Sequence, residues 1–269
     1  MRKFTYIDTE SAWDEHLHAC AVRVDPTDLR YRIECKRIIA AAAMDISVDA
    51  NGAISCEGMS SWSLGEHDDE QAIVSNLFQH LLAREDRNVV GFGSLANDVR
   101  ILQLAAIEYA LLLPPHFRNR YKRSLAPTAP GNHLDLGLAI KGPGKSWPHL
   151  TELLTRIGIP LPLYADKKSV PCPTRGHGWA DVIAHVELDC ALLAIAHLAW
   201  LRTQGQQGID CWTAALAVLD WMRRHGSMTN GVRARLASAC GELSEMLTAE
   251  LHRKAAASCI QSAPHIRAA

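Results

Sequence analysis

The sequence has almost no net charge and no long apolar run. Its 28 Lys and Arg side chains are matched by 29 Asp and Glu, which gives a formal net charge of -1 at pH 7. The chain therefore lacks the general basic field that holds nucleic acid or an anionic membrane without specificity, and any polyanion must be bound locally. The longest apolar runs reach about a dozen residues, whereas a membrane-spanning helix needs about 20, so no span is expected.

The sequence also lacks paired cysteine motifs. None of its eight cysteines forms a CxxC pair, and a chain of this length can bury a core without disulfides, so we expect reduced thiols that mostly fill the core. Cys172 and His177 have no second ligand pair, which argues against a zinc site. The first residues contain no apolar signal region, and we expect a cytoplasmic protein.

The composition is otherwise ordinary: 48% of the residues are apolar and 21% are charged, which is typical of a globular protein and not of a disordered chain or coiled coil. A length of 269 residues allows one full-sized domain and a smaller appendage. The best linker candidate is Gly-Gln-Gln-Gly at 205–208, so we expect a domain over 1–204 and a C-terminal helical extension over 209–262.

Local patterns predict alternating strands and helices. The strand candidates are 4–8, 37–48, a stretch that ends at Leu64, and 88–92, with Asn51-Gly52 as a hairpin turn after the second. An apolar run at 133–140 reads as another strand. The helix candidates, from apolar spacing and Pro or Gly boundaries, are 69–87, 98–113, 148–157, 179–201, 210–225 and 232–260.

Acidic residues occur at three suggestive places. Asp8 and Glu10 point to the same face at the end of the first strand, because side chains alternate along a strand. Asp98 begins a helix, and His185 and Asp189 share one face of an apolar helix, where burial is costly unless they are paired or liganded. Each also has an ordinary explanation: a solvated turn, a helix cap and a surface ion pair.

Taken in order, these places match a family pattern. The runs YIDTE, VVGFGSLANDVRIL, HLDL, SWPHLTELLTRIGIP and HVELDCALLAIAHLAWL, over about residues 3 to 203, resemble the DEDD superfamily of 3'-5' exonucleases, in particular predicted exonucleases related to the proofreading domain of family B DNA polymerases. The resemblance implies an α/β fold with an RNase H-like mixed sheet, antiparallel in its first three strands and flanked by helices. His185 has the histidine of one subgroup at the spacing of the tyrosine subgroup. Gly93 and Asn97 replace the usual Asn and aromatic.

The resemblance also implies a reaction and a site. The reaction is hydrolysis of single-stranded DNA or RNA 3' ends to nucleoside 5'-monophosphates with two Mg2+ or Mn2+ ions, which neutralise charge on the attacking and leaving oxygens. Asp8 would bridge the ions, with Glu10 and Asp189 on one and Asp98 on the other. His185 would accept a proton from the attacking water. Thr9 is expected to contact substrate.

Two further stretches suggest binding. The run HFRNRYKR interleaves cations with Phe117 and Tyr121, which suits phosphate contacts and base stacking, although a solvated loop explains it equally well. Its cations are Arg118, Arg120, Lys122 and Arg123. The alternatives to an exonuclease are a noncatalytic nucleic-acid-binding module on the same fold, and a nucleotide-binding protein that uses Lys145 and Ser146. The second is disfavoured, because a P-loop needs Gly at Ala139 and Pro148 interrupts the helix.

Overall fold

A five-stranded mixed sheet forms the centre of the molecule. The computed structural model describes residues 1–67, 69–118, 132–164, 173, 178–206 and 208–261. The strand order is β3-β2-β1-β4-β5, with β1 antiparallel to β2, β2 antiparallel to β3, and β4 parallel to both β1 and β5. The strands are β1 (Arg2–Trp13), β2 (Lys36–Val48), β3 (Ile54–Ser63), β4 (Asn88–Gly91) and β5 (His133–Asp135). This order confirms the predicted RNase H-like α/β fold.

The predicted hairpin at Asn51-Gly52 joins β2 to β3. Gly52 has a φ of +87°, a conformation that glycine adopts without strain. The Asp49 carboxylate accepts hydrogen bonds from the backbone N–H groups of Asn51 and Ala53, both at 2.8 Å. A side chain at Gly52 would also collide with the backbone of Gly208, so the hairpin packs directly on the segment that leads to the C-terminal helices.

Helices cover both faces of the sheet, and several begin at an acidic cap. The Asp69 carboxylate accepts the Ala72 N–H at 2.8 Å, and the Asp210 carboxylate accepts the Thr213 N–H at 2.9 Å, which satisfies N–H groups that the helix itself leaves unpaired. In the part of the chain that the structure describes, the helices are α1 (Glu15–Val24), α2 (Glu70–Leu82), α3 (Asp98–Glu108), α4 (Pro115–Arg118), α5 (Leu136–Lys141), α6 (Leu150–Arg156), α7 (Trp179–Thr203), α8 (Cys211–His225) and α9 (Asn230–Gln261).

Alternation along the strands builds two separate cores. Tyr6 and Ala42 face α7, whereas Ile7 and Ala43 face α2 and α3. Because β2 carries four consecutive alanines at 40–43, all fully buried, α7 lies close to the sheet. The Cys190 thiol of α7 donates to the Ala42 carbonyl at 3.5 Å.

α7 is the central helix of the molecule. By length and composition it could cross a membrane, but 89% of its most apolar 18-residue stretch is buried inside the protein. One side packs on β1 and β2, and apolar residues of α8 and α9, such as Leu219 and Leu236, belong to the same buried cluster. The Glu187 carboxylate adds a polar link, because it accepts the Ser61 hydroxyl at 2.7 Å and the Ser227 N–H at 2.6 Å. The domain boundary between 204 and 209 stays a prediction.

Several expected boundaries were wrong for local reasons. β1 continues to Trp13 because it pairs with β2 over its whole length, and α1 follows it without having been predicted. The run at 133–140 is a three-residue strand followed by α5. α3 ends at Glu108, five residues earlier than expected, because the chain turns at Ala110 (φ +53°) and the Leu111 N–H bonds back to the Ala106 carbonyl.

Candidate active site

The two acids of β1 lie on the face of the sheet that α7 covers. The cross-strand neighbours of Asp8 and Glu10 are Ala42 and Ala40, whose single methyl groups leave room for side chains from the helix. Thr9 points to the opposite face, as alternation requires. The strand thus presents its carboxylates to α7 and a hydroxyl to α3.

His185 and Asp189 reach this face from α7, one helical turn apart. The His185 Nε2 atom lies 3.3 Å from Glu10 Oε1 and 3.7 Å from Asp189 Oδ2. Ligand atoms of all three side chains lie within 4.8 Å of one another, and each residue is partly buried. The structure therefore brings residues that are 179 positions apart, Glu10 and Asp189, into one cluster of the size that a single cation requires.

A pocket of about 270 Å3 opens beside this cluster. Asp8 and Asp189 contribute its acidic wall, and the remaining lining comes from the end of β4, the start of α6 and α7. Those residues are Phe92, His149, Leu150, Thr151 and Leu193. The pocket joins carboxylates to an apolar surface, an arrangement that suits a small organic group attached to a phosphodiester.

Asp98 is linked to the site through Thr9. The Thr9 hydroxyl donates to Asp98 Oδ1 at 2.7 Å. Burial raises the pKa of Asp98 to about 6, and the negative charges of Glu10 and Asp135 raise it further against the opposing effect of the Thr9 hydrogen bond. The charge of Glu10 thus acts on Asp98, although Asp98 is not part of the cluster of Glu10, His185 and Asp189.

The segment before Asp98 is held by a residue that the sequence analysis did not single out. Asp135, at the end of β5, accepts hydrogen bonds from the backbone N–H groups of Gly93 (2.8 Å), Leu95 (2.9 Å) and Leu138 (3.0 Å). Its side chain is buried, so these three bonds replace its hydration. The motif HLDL contained this signal, because an acid at the end of a strand and before a helix is a typical cap.

The two family positions that this chain changes lie in the same segment. Gly93 has a φ of +67°, and a side chain built there would meet nothing within 4 Å. Asn97 is exposed and precedes α3 without a capping hydrogen bond from its side chain. Both positions are therefore sterically open.

The basic, aromatic run near residue 118 differs from expectation where the structure describes it. Phe117 is fully buried in the core beneath α2 and α3, so its ring cannot stack on a base, and that part of the prediction was wrong. Arg118 is exposed and donates from Nε to the Leu113 carbonyl at 2.7 Å. Arg120, Lys122 and Arg123 lie outside the described residues, as do Tyr121, Cys172 and His177.

The P-loop alternative is contradicted by the local structure. A P-loop joins a strand to a helix that begins at its lysine. Here the preceding element is α5, and the next helix, α6, begins only at Leu150. Lys145 and Ser146 are exposed in an irregular segment, so no helix N-terminus is available to hold a nucleotide phosphate at that point.

The cysteines that the structure describes are free thiols, as expected. Cys35 and Cys190 are buried, whereas Cys20, Cys56, Cys211 and Cys240 are only partly buried. The prediction that cysteines mostly fill the core therefore fits two of these six.

Comparisons with known proteins give weak similarities to nucleases and polymerases. No protein-family model and no curated protein matches the chain. Among solved structures, the family B DNA polymerase of the archaeon Pyrobaculum calidifontis is similar at 11% identity with a TM-score of 0.41, over 84% of this chain and 30% of the polymerase. Exonuclease I of E. coli, bound to single-stranded DNA and zinc, is similar at 10% identity with a TM-score of 0.38, over 83% of this chain and 43% of the exonuclease. The chain thus spans less than half the length of either protein.

Proposed function

We propose that this protein is a metal-dependent 3'-5' exonuclease that hydrolyses single-stranded DNA or RNA ends to nucleoside 5'-monophosphates. The observation that carries the proposal is the cluster of Glu10, His185 and Asp189, whose ligand atoms lie within 4.8 Å of one another next to a pocket lined by Asp8. Four acids on three separate elements, two of them facing an apolar pocket, are costly to bring together unless cations balance them.

The donor atoms fit hard divalent cations. Mg2+ and Mn2+ prefer carboxylate oxygens, which Asp8, Glu10, Asp98 and Asp189 supply, and Mn2+ also accepts the imidazole nitrogen of His185. These four acids would hold two such ions. Bound there, the ions would neutralise charge on the attacking and leaving oxygens of a phosphodiester.

The protein's own groups position the reacting parts. Thr9 fixes the orientation of Asp98 through its 2.7 Å hydrogen bond, and Asp135 fixes the loop before it. His185, between Glu10 and Asp189, is placed to accept a proton from the attacking water. Phe92, Leu150 and Leu193 line the pocket and would exclude water from around the terminal nucleoside.

Digestion of a 5'-labelled single-stranded oligonucleotide tests the proposal. We expect shortening from the 3' end in Mg2+ or Mn2+, release of nucleoside 5'-monophosphates, and no reaction in EDTA. Asp8→Asn should abolish digestion and leave the fold intact. The matched control is Asp181→Asn, which alters an exposed acid on α7 and should digest normally. Tight binding without any digestion would instead support the noncatalytic module, and normal digestion by Asp8→Asn would reject the proposed site.

The role of His185 needs its own measurement. If it accepts the proton, His185→Ala should lower the single-turnover rate by roughly 10²- to 10⁴-fold with little loss of metal affinity. His185→Tyr restores the residue of the tyrosine subgroup at this spacing and should retain more activity than the alanine variant. Coincident pH–rate profiles for the unsubstituted protein and both variants would exclude His185 from the chemistry.

A further inference from the structure

The loop at 141–149 borders the pocket and is not used by the proposed chemistry. It connects α5 to α6, and its last residue, His149, lines the pocket together with Thr151 of α6. With the P-loop excluded, the Gly-Lys-Ser sequence in this loop has no assigned role.

The loop combines positive charge with an exposed aromatic ring. It carries Lys141, Lys145 and His149 and contains no acidic residue. Trp147 is 45% exposed, and the Lys141 ammonium lies over its ring, 4.9 Å from the centroid. A cation at this distance holds an aromatic side chain in place, so the ring is ordered although much of its surface contacts solvent.

The position of the ring relative to the pocket follows from chain geometry. Trp147 is two residues from His149, so their Cα atoms are at most about 7 Å apart. A nucleic acid strand whose last nucleotide occupies the pocket would therefore pass Trp147 within its next few nucleotides. Lysine and tryptophan side chains supply the two contacts that single strands accept without regard to sequence, phosphate neutralisation and base stacking.

We propose that the 141–149 loop binds the nucleotides upstream of the terminal one. Trp147 stacks on an unpaired base, and Lys141 and Lys145 contact phosphates. The inference rests on the proposed exonuclease function, and it adds that affinity grows with the length of the single strand and that paired bases, which cannot stack on the ring, are disfavoured.

Binding measurements in a background that cannot hydrolyse test the loop directly. Fluorescence anisotropy of a labelled 12-nucleotide oligothymidylate is measured on Asp8→Asn in Mg2+, with and without a second substitution. Adding Trp147→Ala should weaken binding roughly 5- to 150-fold, which corresponds to about 1–3 kcal/mol of base stacking. Trp147→Phe should weaken it much less. Lys141→Ala with Lys145→Ala should lower the salt slope by about 1.4, since each phosphate contact on a single strand contributes about 0.7. The control is Lys254→Ala, on the exposed part of α9, which should leave the slope unchanged.

A short substrate separates the loop from the chemistry. The p-nitrophenyl ester of thymidine 5'-monophosphate has one nucleoside and no upstream phosphate. Trp147→Ala with Asp8 intact should cleave it like the unsubstituted protein, while its KM for the 12-nucleotide strand rises. If Trp147→Ala binds the long strand within twofold of its parent, the loop proposal is overturned and the exonuclease proposal stands. If the unsubstituted protein hydrolyses neither substrate, the exonuclease proposal fails, and the binding data still decide the role of the loop.

Discussion

Asp135→Asn is the most informative single change, because it alters the support of the site without touching a proposed ligand. Asp135 Oδ1 accepts from Gly93 and Leu138, and Oδ2 accepts from Leu95 at 2.9 Å. The asparagine variant can keep the first two bonds but presents an NH2 group to the Leu95 N–H. Losing one hydrogen bond to a buried charged group costs about 1.5–3 kcal/mol, which we expect as the fall in the free energy of unfolding measured with urea.

The same change should lower the rate of hydrolysis. The loop that Asp135 holds leads directly to Asp98, and a displacement of about 1 Å in a catalytic group can reduce a rate roughly 100-fold. We expect kcat to fall by about 10- to 100-fold while KM changes little. The control is Asp210→Asn, which removes the cap of α8 at Thr213 (2.9 Å) and should cost about 0.5–2 kcal/mol at full kcat. Loss of stability with an unchanged kcat in Asp135→Asn would refute the positioning role.

Three other changes should have measurable effects. Burial lowers the pKa of both His133 and His197 to about 3, so the unfolded chain binds protons that the folded chain does not. The free energy of unfolding should therefore fall from about pH 6.5 towards pH 3, by up to about 1.4 kcal/mol per pH unit for each histidine; a flat urea-unfolding profile would contradict this. Gly93→Asn should change stability by less than about 1 kcal/mol, because asparagine tolerates positive φ, whereas Gly93→Val should cost about 1–2 kcal/mol. Mn2+ at 100 times its Kd should stabilise the unsubstituted protein by about 2.7 kcal/mol in thermal melts, and equal stabilisation of Asp189→Asn would show that Asp189 is not a ligand.

The sequence predicted the elements whose signals are local. The hairpin at Asn51-Gly52, α7 and the two C-terminal helices were found from turn chemistry and apolar spacing. α1 was missed because only Asp14, which accepts the His16 and Leu17 N–H groups, marks its start, and none of its residues is buried. The early end of α3 depends on a turn at Ala110 that apolar residues on both sides conceal.

The candidate site was predictable only to the level of its acids. Strand alternation places Asp8 with Glu10, and helical spacing places His185 with Asp189, so each pair follows from local geometry. Their convergence depends on how α7 crosses the sheet, which no local pattern specifies. The role of Asp135 depends on backbone donors in a loop 40 residues earlier in the chain, so no inspection of its own neighbours in sequence could reveal it.

The alanines at 40–43 of β2 act as a spacer between the sheet and α7. Two of them, Ala40 and Ala42, stand opposite Glu10 and Asp8, and their small size sets how near His185 and Asp189 come to the strand. A larger side chain in this row would widen the gap between the two halves of the candidate metal site, even though alanine takes no part in any reaction. The width of an active-site cleft is here a property of residues without chemical function, so functional divergence among proteins with this architecture could arise by changes in methyl groups while every carboxylate stays in place.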